Sequence, residues 1–198
     1  MSNIGHSAAR AVASKAIDVV LKNVDKNREE GVCKLIDFMQ KYMSEEKLDV
    51  NYDKAREMVC NKDGAFNKYI NRVLDEVDPH VLKTMALNLG FEAFMYGTKT
   101  IRKNREKYEC NVPWLILMDP TSACNLHCTG CWAAEYGNRL NLTFDEMDKV
   151  VQQGKELGTY LYMFTGGEPL VRKADLIKLC EKHNDCAFLS FTNGTLVD

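Results

Sequence analysis

The hydrophobic pattern of this chain changes once, at Asn111-Val112-Pro113, and that change decides what each part can fold into. Up to about Tyr108 the apolar residues recur at helical spacing. Val32, Leu35, Ile36, Met39, Tyr42 and Met43 share one helix face, and Phe66, Tyr69, Ile70, Val73, Leu74 and Val77 repeat the pattern. At the N-terminus Ile4, Ala8, Val12, Ala16, Val19 and Val20 make a third stripe. Asp78-Pro79 reads as an N-cap followed by proline at the first helical position. It opens a helix through Leu82, Met85, Leu89 and Phe94 that loosens near Gly90 and Gly97. Such stripes need partners, so residues 1–111 are expected to form an all-α region, either a bundle or a helical layer resting on the remainder of the chain.

Residues 112–198 read differently. The run at 114–118 (WLILM) is short and continuously apolar, as in a strand buried on both faces. A polar loop over 119–142 leads to Thr143-Phe-Asp-Glu146, a capping box that opens a helix through Met147, Val150, Val151 and Leu157. Gly158 closes that helix, and 160–164 (YLYMF) is the next strand. A loop at 165–169, a helix at 174–182 and a third strand at 187–191 come after it, and Thr192-Asn193-Gly194 ends the strand. Strand, loop and helix in alternation predict the α/β class, with parallel β/α units. Ligands of such units gather where strands end at their C-terminal side, and all three informative loops lie there.

Composition removes several classes of function. The net charge of −2 gives no reason to expect a nucleic acid or an anionic membrane as partner, and the basic stretch at 99–107 also holds Glu106, as a solvated helix face would. No apolar run approaches the about 20 residues that span a bilayer. The N-terminus lacks the continuous apolar centre of a secretory signal, so a cytoplasmic location is expected. Eight cysteines without an export signal then read as reduced thiols or metal ligands rather than a disulfide framework.

Three of those cysteines carry the chemistry. Cys124-Asn-Leu-His-Cys128-Thr-Gly-Cys131 sets three thiols within eight residues on a loop leaving a strand. Thiolates are soft ligands for zinc or iron–sulfur clusters. A four-iron cubane held by three cysteines keeps one iron open to a small chelating molecule, whereas structural zinc wants a fourth ligand. His127 is available for that role but sits between two of the cysteines. Cys33 and Cys60 fall in helical patterns and read as packing residues, while Cys180 and Cys186, near the third strand, leave packing and a second cluster both open.

The spacing Cys-x3-Cys-x2-Cys after a first strand resembles the signature of the radical S-adenosylmethionine (radical SAM) superfamily. Thr165-Gly166-Gly167-Glu168-Pro169 after the second strand is similar to that family's glycine-rich motif, and Thr192-Asn193-Gly194 to a turn found in its peptide- and cofactor-modifying branches. One departure is Gly130, where many members carry an aromatic residue before the third cysteine; here Trp132 follows it instead. The resemblance implies a partial TIM-type (β/α) barrel beginning at residue 112. It implies a [4Fe–4S] cluster on Cys124, Cys128 and Cys131, and S-adenosylmethionine bound by Gly166, Gly167, Glu168 and Pro169, with Thr192 and Asn193 facing the ligand. It also implies a one-electron reductant of flavodoxin or ferredoxin type, and formation of a 5′-deoxyadenosyl radical that takes hydrogen from a substrate the sequence does not identify. Gly166 and Gly167 are expected to serve the cofactor while a separate loop holds the cluster. Three strands are fewer than the family's barrel uses, so the chain is expected to be the N-terminal portion of a longer enzyme. The rival readings are a non-catalytic zinc module and an electron-transfer iron–sulfur protein.

Overall fold

The computed structural model describes residues 3–22, 27–43, 50–133, 137 and 139–197. They fall into two compact units, 1–91 and 92–198. In the first, α1 (Asn3–Lys22), α2 (Arg28–Tyr42), α3 (Tyr52–Cys60), α4 (Ala65–Glu76) and α5 (Pro79–Met85) succeed one another, with α1 packed on α2 and α5, and α3 on α2 and α4. Asn27, Asn51 and Asp78 cap the starts of α2, α3 and α5 with their side chains, supplying acceptors to first-turn N–H groups. The core holds Ala13, Ile17, Val20, Met43, Val59 and Phe91. In α1 the buried stripe is therefore Ala13, Ile17 and Val20, whereas Val12 and Val19 are more than half exposed. The helix is turned from the face its valines suggest. The small Ala13 lets a neighbour approach, and the rotation also lets Arg10 bond Asn88 at 2.9 Å and Asp18 meet Lys83 at 2.8 Å. Phe66 and Tyr69 of α4 are likewise exposed, while Asn67 is buried and donates to the Val59 carbonyl.

After α5 the helix widens into π-type winding over Ala86–Gly97 and then tightens into α6 (Thr98–Tyr108). The loosening expected near Gly90 and Gly97 takes this form. The compact units divide at 91/92, earlier than the change of pattern at 111/112, because α6 packs with the second unit. Its Asn104 side chain donates to the Glu156 and Leu157 carbonyls at the end of α7 (Phe144–Leu157), and Ile101 is buried. Gly97 and Gly158 make this approach possible. A Cβ on Gly97 would stand 2.5 Å from the Gly158 carbonyl oxygen, and Gly158 ends α7 at φ +104°, a left-handed conformation suited to glycine.

The sheet is three-stranded and parallel in the order β1 (Leu115–Thr121), β2 (Leu161–Gly166), β3 (Ala187–Ser190), with α7 and α8 (Lys173–Lys182) as the intervening helices. This is the β/α alternation expected, consistent with the start of a barrel after a helical region. The Thr143–Glu146 capping box is present in both directions, and a single 3-10 turn, Pro169–Arg172, precedes α8. One sheet face is packed: Tyr162 is fully buried with its hydroxyl donating toward the Val151 and Thr159 carbonyls, and Phe164 stacks on Phe188 at 5.7 Å. The other is not. Leu117, Met163 and Leu189 stand in register across the three strands, Leu117 half exposed and Leu189 40% exposed. Thus β1 is covered on one face only, a correction to the two-sided burial its apolar run suggests. Among the described residues no helix is long and apolar enough to cross a membrane.

Candidate functional site

The cysteine loop is closed at its base before it reaches the first thiol. Ser122 N–H donates to the Leu140 carbonyl at 2.8 Å, Leu142 N–H to the Pro120 carbonyl at 3.1 Å, and Thr121 Oγ1 meets Asn141 Oδ1 at 2.6 Å. Arg172, at the start of α8, donates to both the Leu142 and Pro120 carbonyls and holds the two ends together. Within the loop, Cys131 N–H donates to the Cys128 carbonyl at 3.2 Å, closing a four-residue turn whose third position is Gly130 at φ +75°. A turn with positive φ there favours glycine, which is why an aromatic side chain is not accommodated at 130. Leu126 N–H donates to Cys124 Sγ at 3.4 Å.

Cys124, Cys128 and Cys131 line one cavity of about 310 Å³ together with Ser122, His127 and Gly167. Cys124 is partly buried and the other two are exposed. Among the described residues no three His, Cys, Asp or Glu side chains converge as the ligands of a single ion would. The three thiols share the cavity's lining without converging on one point.

The second loop is built onto the first. Gly167 N–H donates to the Thr121 carbonyl at 2.9 Å and Glu168 N–H to the Ala123 carbonyl at 2.8 Å. A Cβ on Gly167 would stand 2.2 Å from the Ala123 oxygen and 2.6 Å from that of Ser122. Gly166 has φ +105° and would meet the Thr121 oxygen at 2.6 Å. The glycines are therefore required by the backbone of the cysteine loop itself. The glycine loop is thus packed against the base of the cysteine loop.

Glu168 departs most from a backbone role. Its side chain is 1% exposed. Oε1 accepts from Leu170 N–H at 2.9 Å and from the Thr192 hydroxyl at 2.8 Å, and Oε2 accepts from Asn193 N–H at 2.8 Å. One carboxylate thus joins the loops after β2 and β3. The third loop then returns to the first: Asn193 Nδ2 donates to Asn125 Oδ1 at 2.9 Å, and Asn125 Nδ2 to Thr195 Oγ1 at 2.7 Å. Cys124 is flanked by Ala123, tied to loop two, and by Asn125, tied to loop three. Pro169 is buried at the start of the 3-10 turn. Thr192 and Asn193, read as facing a ligand, spend these groups on the other loops. Asn125, Thr195 and Arg172 carry no motif and were not legible as site residues.

Trp132 is exposed. Cys180 and Cys186 lie elsewhere, and burial pushes the Cys180 thiol up to about 11 and that of Cys186 higher still, as for packing residues.

Residues 118–198 match the family model described as the radical SAM superfamily. That segment carries the match to the radical SAM family model. The chain is similar to GTP 3′,8-cyclase of Clostridium perfringens, 32% identical over 100 residues, covering 47% of this chain and 31% of that enzyme. It is also similar to AdoMet-dependent heme synthase of Methanosarcina barkeri (32% over 91 residues; 44% of this chain, 26% of the enzyme). PqqA peptide cyclase of Bradyrhizobium diazoefficiens is 34% identical over 88 residues, 43% of this chain and 23% of the enzyme. The matched stretch therefore spans less than a third of each of these relatives. No solved structure matches.

Proposed function

We propose that the radical SAM segment holds a [4Fe–4S] cluster on Cys124, Cys128 and Cys131 and belongs to an enzyme that cleaves S-adenosylmethionine. The observation that carries this reading is the shared cavity, where three soft donors stand around about 310 Å³ at the C-terminal ends of β1 and β2, with Gly167 in the wall. The donor set fits: three thiolates satisfy three corners of a cubane and leave the fourth for an amine and a carboxylate. Such a cluster supplies, when bound and reduced, the electron that breaks the sulfonium bond of S-adenosylmethionine, whose product abstracts hydrogen from an unactivated carbon.

The protein's own part is positional. The N–H groups of Gly167 and Glu168 are engaged with the base of the cysteine loop. Glu168 fixes Thr192 and Asn193, and through Asn193 the residue next to Cys124. A one-electron reductant of flavodoxin or ferredoxin type completes the reading. The relatives' names speak of GTP, of heme synthesis and of a peptide, so the substrate class stays open within this proposal.

The test is iron and sulfide analysis after anaerobic reconstitution of the wild-type chain and of a Cys124→Ala/Cys128→Ala/Cys131→Ala variant. The expected result is four irons per chain in the first and almost none in the second. Zinc without labile sulfide in the wild type, or undiminished iron in the variant, would overturn the reading.

A further inference from the structure

Outside the radical SAM segment, two thiols face each other. Cys33 Sγ on α2 and Cys60 Sγ on α3 are 3.9 Å apart, Cys60 exposed and Cys33 partly so. Both read from sequence as packing residues, and Cys60 is not one. The pairing is set by more than one contact. One turn after Cys33 on α2 is Asp37, and one turn before Cys60 on α3 is Arg56; Arg56 Nη2 meets Asp37 Oδ1 at 2.7 Å and Nε meets it at 3.0 Å. Gln40, nearly one further turn along α2, also accepts from Arg56, and Asp53 holds the same guanidinium from its own helix at 2.9 Å. Two antiparallel helices in one register place residues four apart on each side as successive rungs. Cys33–Cys60 and Asp37–Arg56 are such rungs, so the ion pair and the thiol pair support the same alignment.

We propose that Cys33 and Cys60 form a redox-active dithiol that a low-molecular-weight disulfide closes into a Cys33–Cys60 cross-link between α2 and α3. Exposure assigns the order of events. The Cys60 thiolate attacks one sulfur of the external disulfide, whose S–S bond breaks and releases one thiolate. The Cys33 thiolate, after giving its proton to solvent, attacks the Cys60 sulfur of the mixed disulfide and expels the second thiolate. The protein pair loses two electrons and two protons, and the external disulfide becomes two thiols. Closure brings the two sulfurs from 3.9 Å apart to the S–S bond length of about 2.05 Å. Burial and the neighbouring Cys60 push the Cys33 thiol above its ordinary value, which fits Cys33 as the second, internal attacker. The remaining cysteines differ. Cys180 and Cys186 are held in the packed second unit, and Cys110 is exposed on the loop after α6.

The proposal does not rest on the cluster reading, because it concerns the helical unit alone. The experiment treats the full chain anaerobically with oxidised glutathione at neutral pH, quenches with acid and alkylating agent, and maps tryptic peptides. Cleavage after Arg28, Lys34, Arg56 and Lys62 isolates the two cysteines on peptides 29–34 (EEGVCK) and 57–62 (EMVCNK). The expected result is a linked 29–34/57–62 species that carries neither alkyl group nor glutathione and disappears on treatment with dithiothreitol. In Cys33→Ser the linked species is lost and peptide 57–62 is recovered with glutathione attached, while circular dichroism shows the fold retained. Recovery of both wild-type peptides only as alkylated or separately glutathionylated forms, with the chain folded, would overturn the proposal. So would preferential linkage of either cysteine to one elsewhere in the chain.

Discussion

Replacing Glu168 by glutamine tests the central claim about the site, that one buried carboxylate fastens the loops after β2 and β3 and, through Asn193, steadies the cysteine loop. Its oxygens accept from two backbone N–H groups and one hydroxyl, all within 2.9 Å. Glutamine has nearly the same shape but turns one acceptor into a donor. If the amide nitrogen takes the Oε2 position it opposes Asn193 N–H. At Oε1 it opposes Leu170 N–H, and Thr192 must rotate to accept. Two effects compete. Removing a buried charge relieves its desolvation, but bonds to a charged acceptor are worth about 1.5–3 kcal/mol each and a buried donor left unmet costs about 1–3 kcal/mol. Asn193 is exposed, so water replaces part of what it loses. The net expectation is about 2 kcal/mol of destabilisation for Glu168→Gln and about 3–4 kcal/mol for Glu168→Ala, which removes all three bonds. Urea unfolding of the second unit measures the stability. Iron content after reconstitution and the change in the cluster's EPR spectrum on adding S-adenosylmethionine measure the site. If the carboxylate positions the cysteine loop, the spectral response falls even at temperatures where Glu168→Gln is fully folded. Stability within about 0.5 kcal/mol of wild type, together with an unchanged spectral response, would refute the reasoning, because no buried three-fold acceptor is lost so cheaply.

Gly167→Val is expected to lower iron content and S-adenosylmethionine response together, since its Cβ would meet the Ala123 and Ser122 carbonyl oxygens beside Cys124; retained iron with a lost response would return the glycine to a ligand-facing role. Asp148 of α7 is a pH-dependent fastening: burial opposes its ionisation, but bonds from Lys182 and His183, each at 2.8 Å, outweigh this and hold its carboxyl below the ordinary value. A depressed folded-state value gives stability that is present above the unfolded carboxyl's range and lost as pH falls through the folded value. Asp148→Asn is therefore expected to cost about 1–3 kcal/mol near pH 7 in urea unfolding, with the gap to wild type closing as pH falls through the folded-state value; a gap independent of pH would assign the loss to packing.

What the sequence made legible was chemistry that acts within a few residues. The Thr143–Glu146 box, the Asp78-Pro79 start and the Gly158 stop each join groups less than a turn or two apart, and each appears in the structure as read. The spacing of the three cysteines is local in the same sense, and their shared cavity follows from it. Choices made by a distant partner were not legible. Val12 and Val19 outrank Ala13 in hydrophobicity, yet Ala13 is buried, because a neighbouring helix chooses the face by fit as well as by apolar content. Cys60 lies in a helical pattern but outside the core, and only the α2–α3 register shows which thiol it meets. Glu168 sits in a recognisable motif, but nothing near it in sequence announces that its acceptors serve Thr192 and Asn193, more than twenty residues on.

The step between local motif and assembled site is made by strand register. β1 and β2 pair residue for residue from Leu115↔Leu161 to Met118↔Phe164, and then the next pair is Thr121↔Gly166. Three steps along β1 match two along β2, so one extra residue is inserted at Asp119-Pro120. Proline suits such a bulge because it has no N–H to leave unpaired in the ladder, and a bulge turns the strand that carries it. The result places the Thr121 carbonyl opposite Gly167 N–H and the Ala123 carbonyl opposite Glu168 N–H. Without the extra residue, Thr121 would pair beyond Gly166, and side chains past the shift would point to the opposite sheet face. The cysteines would then leave the strand on a different heading from the glycine loop. The bulge is therefore what converts a three-cysteine spacing and a Gly-Gly-Glu-Pro sequence, each meaningful alone, into one cavity wall.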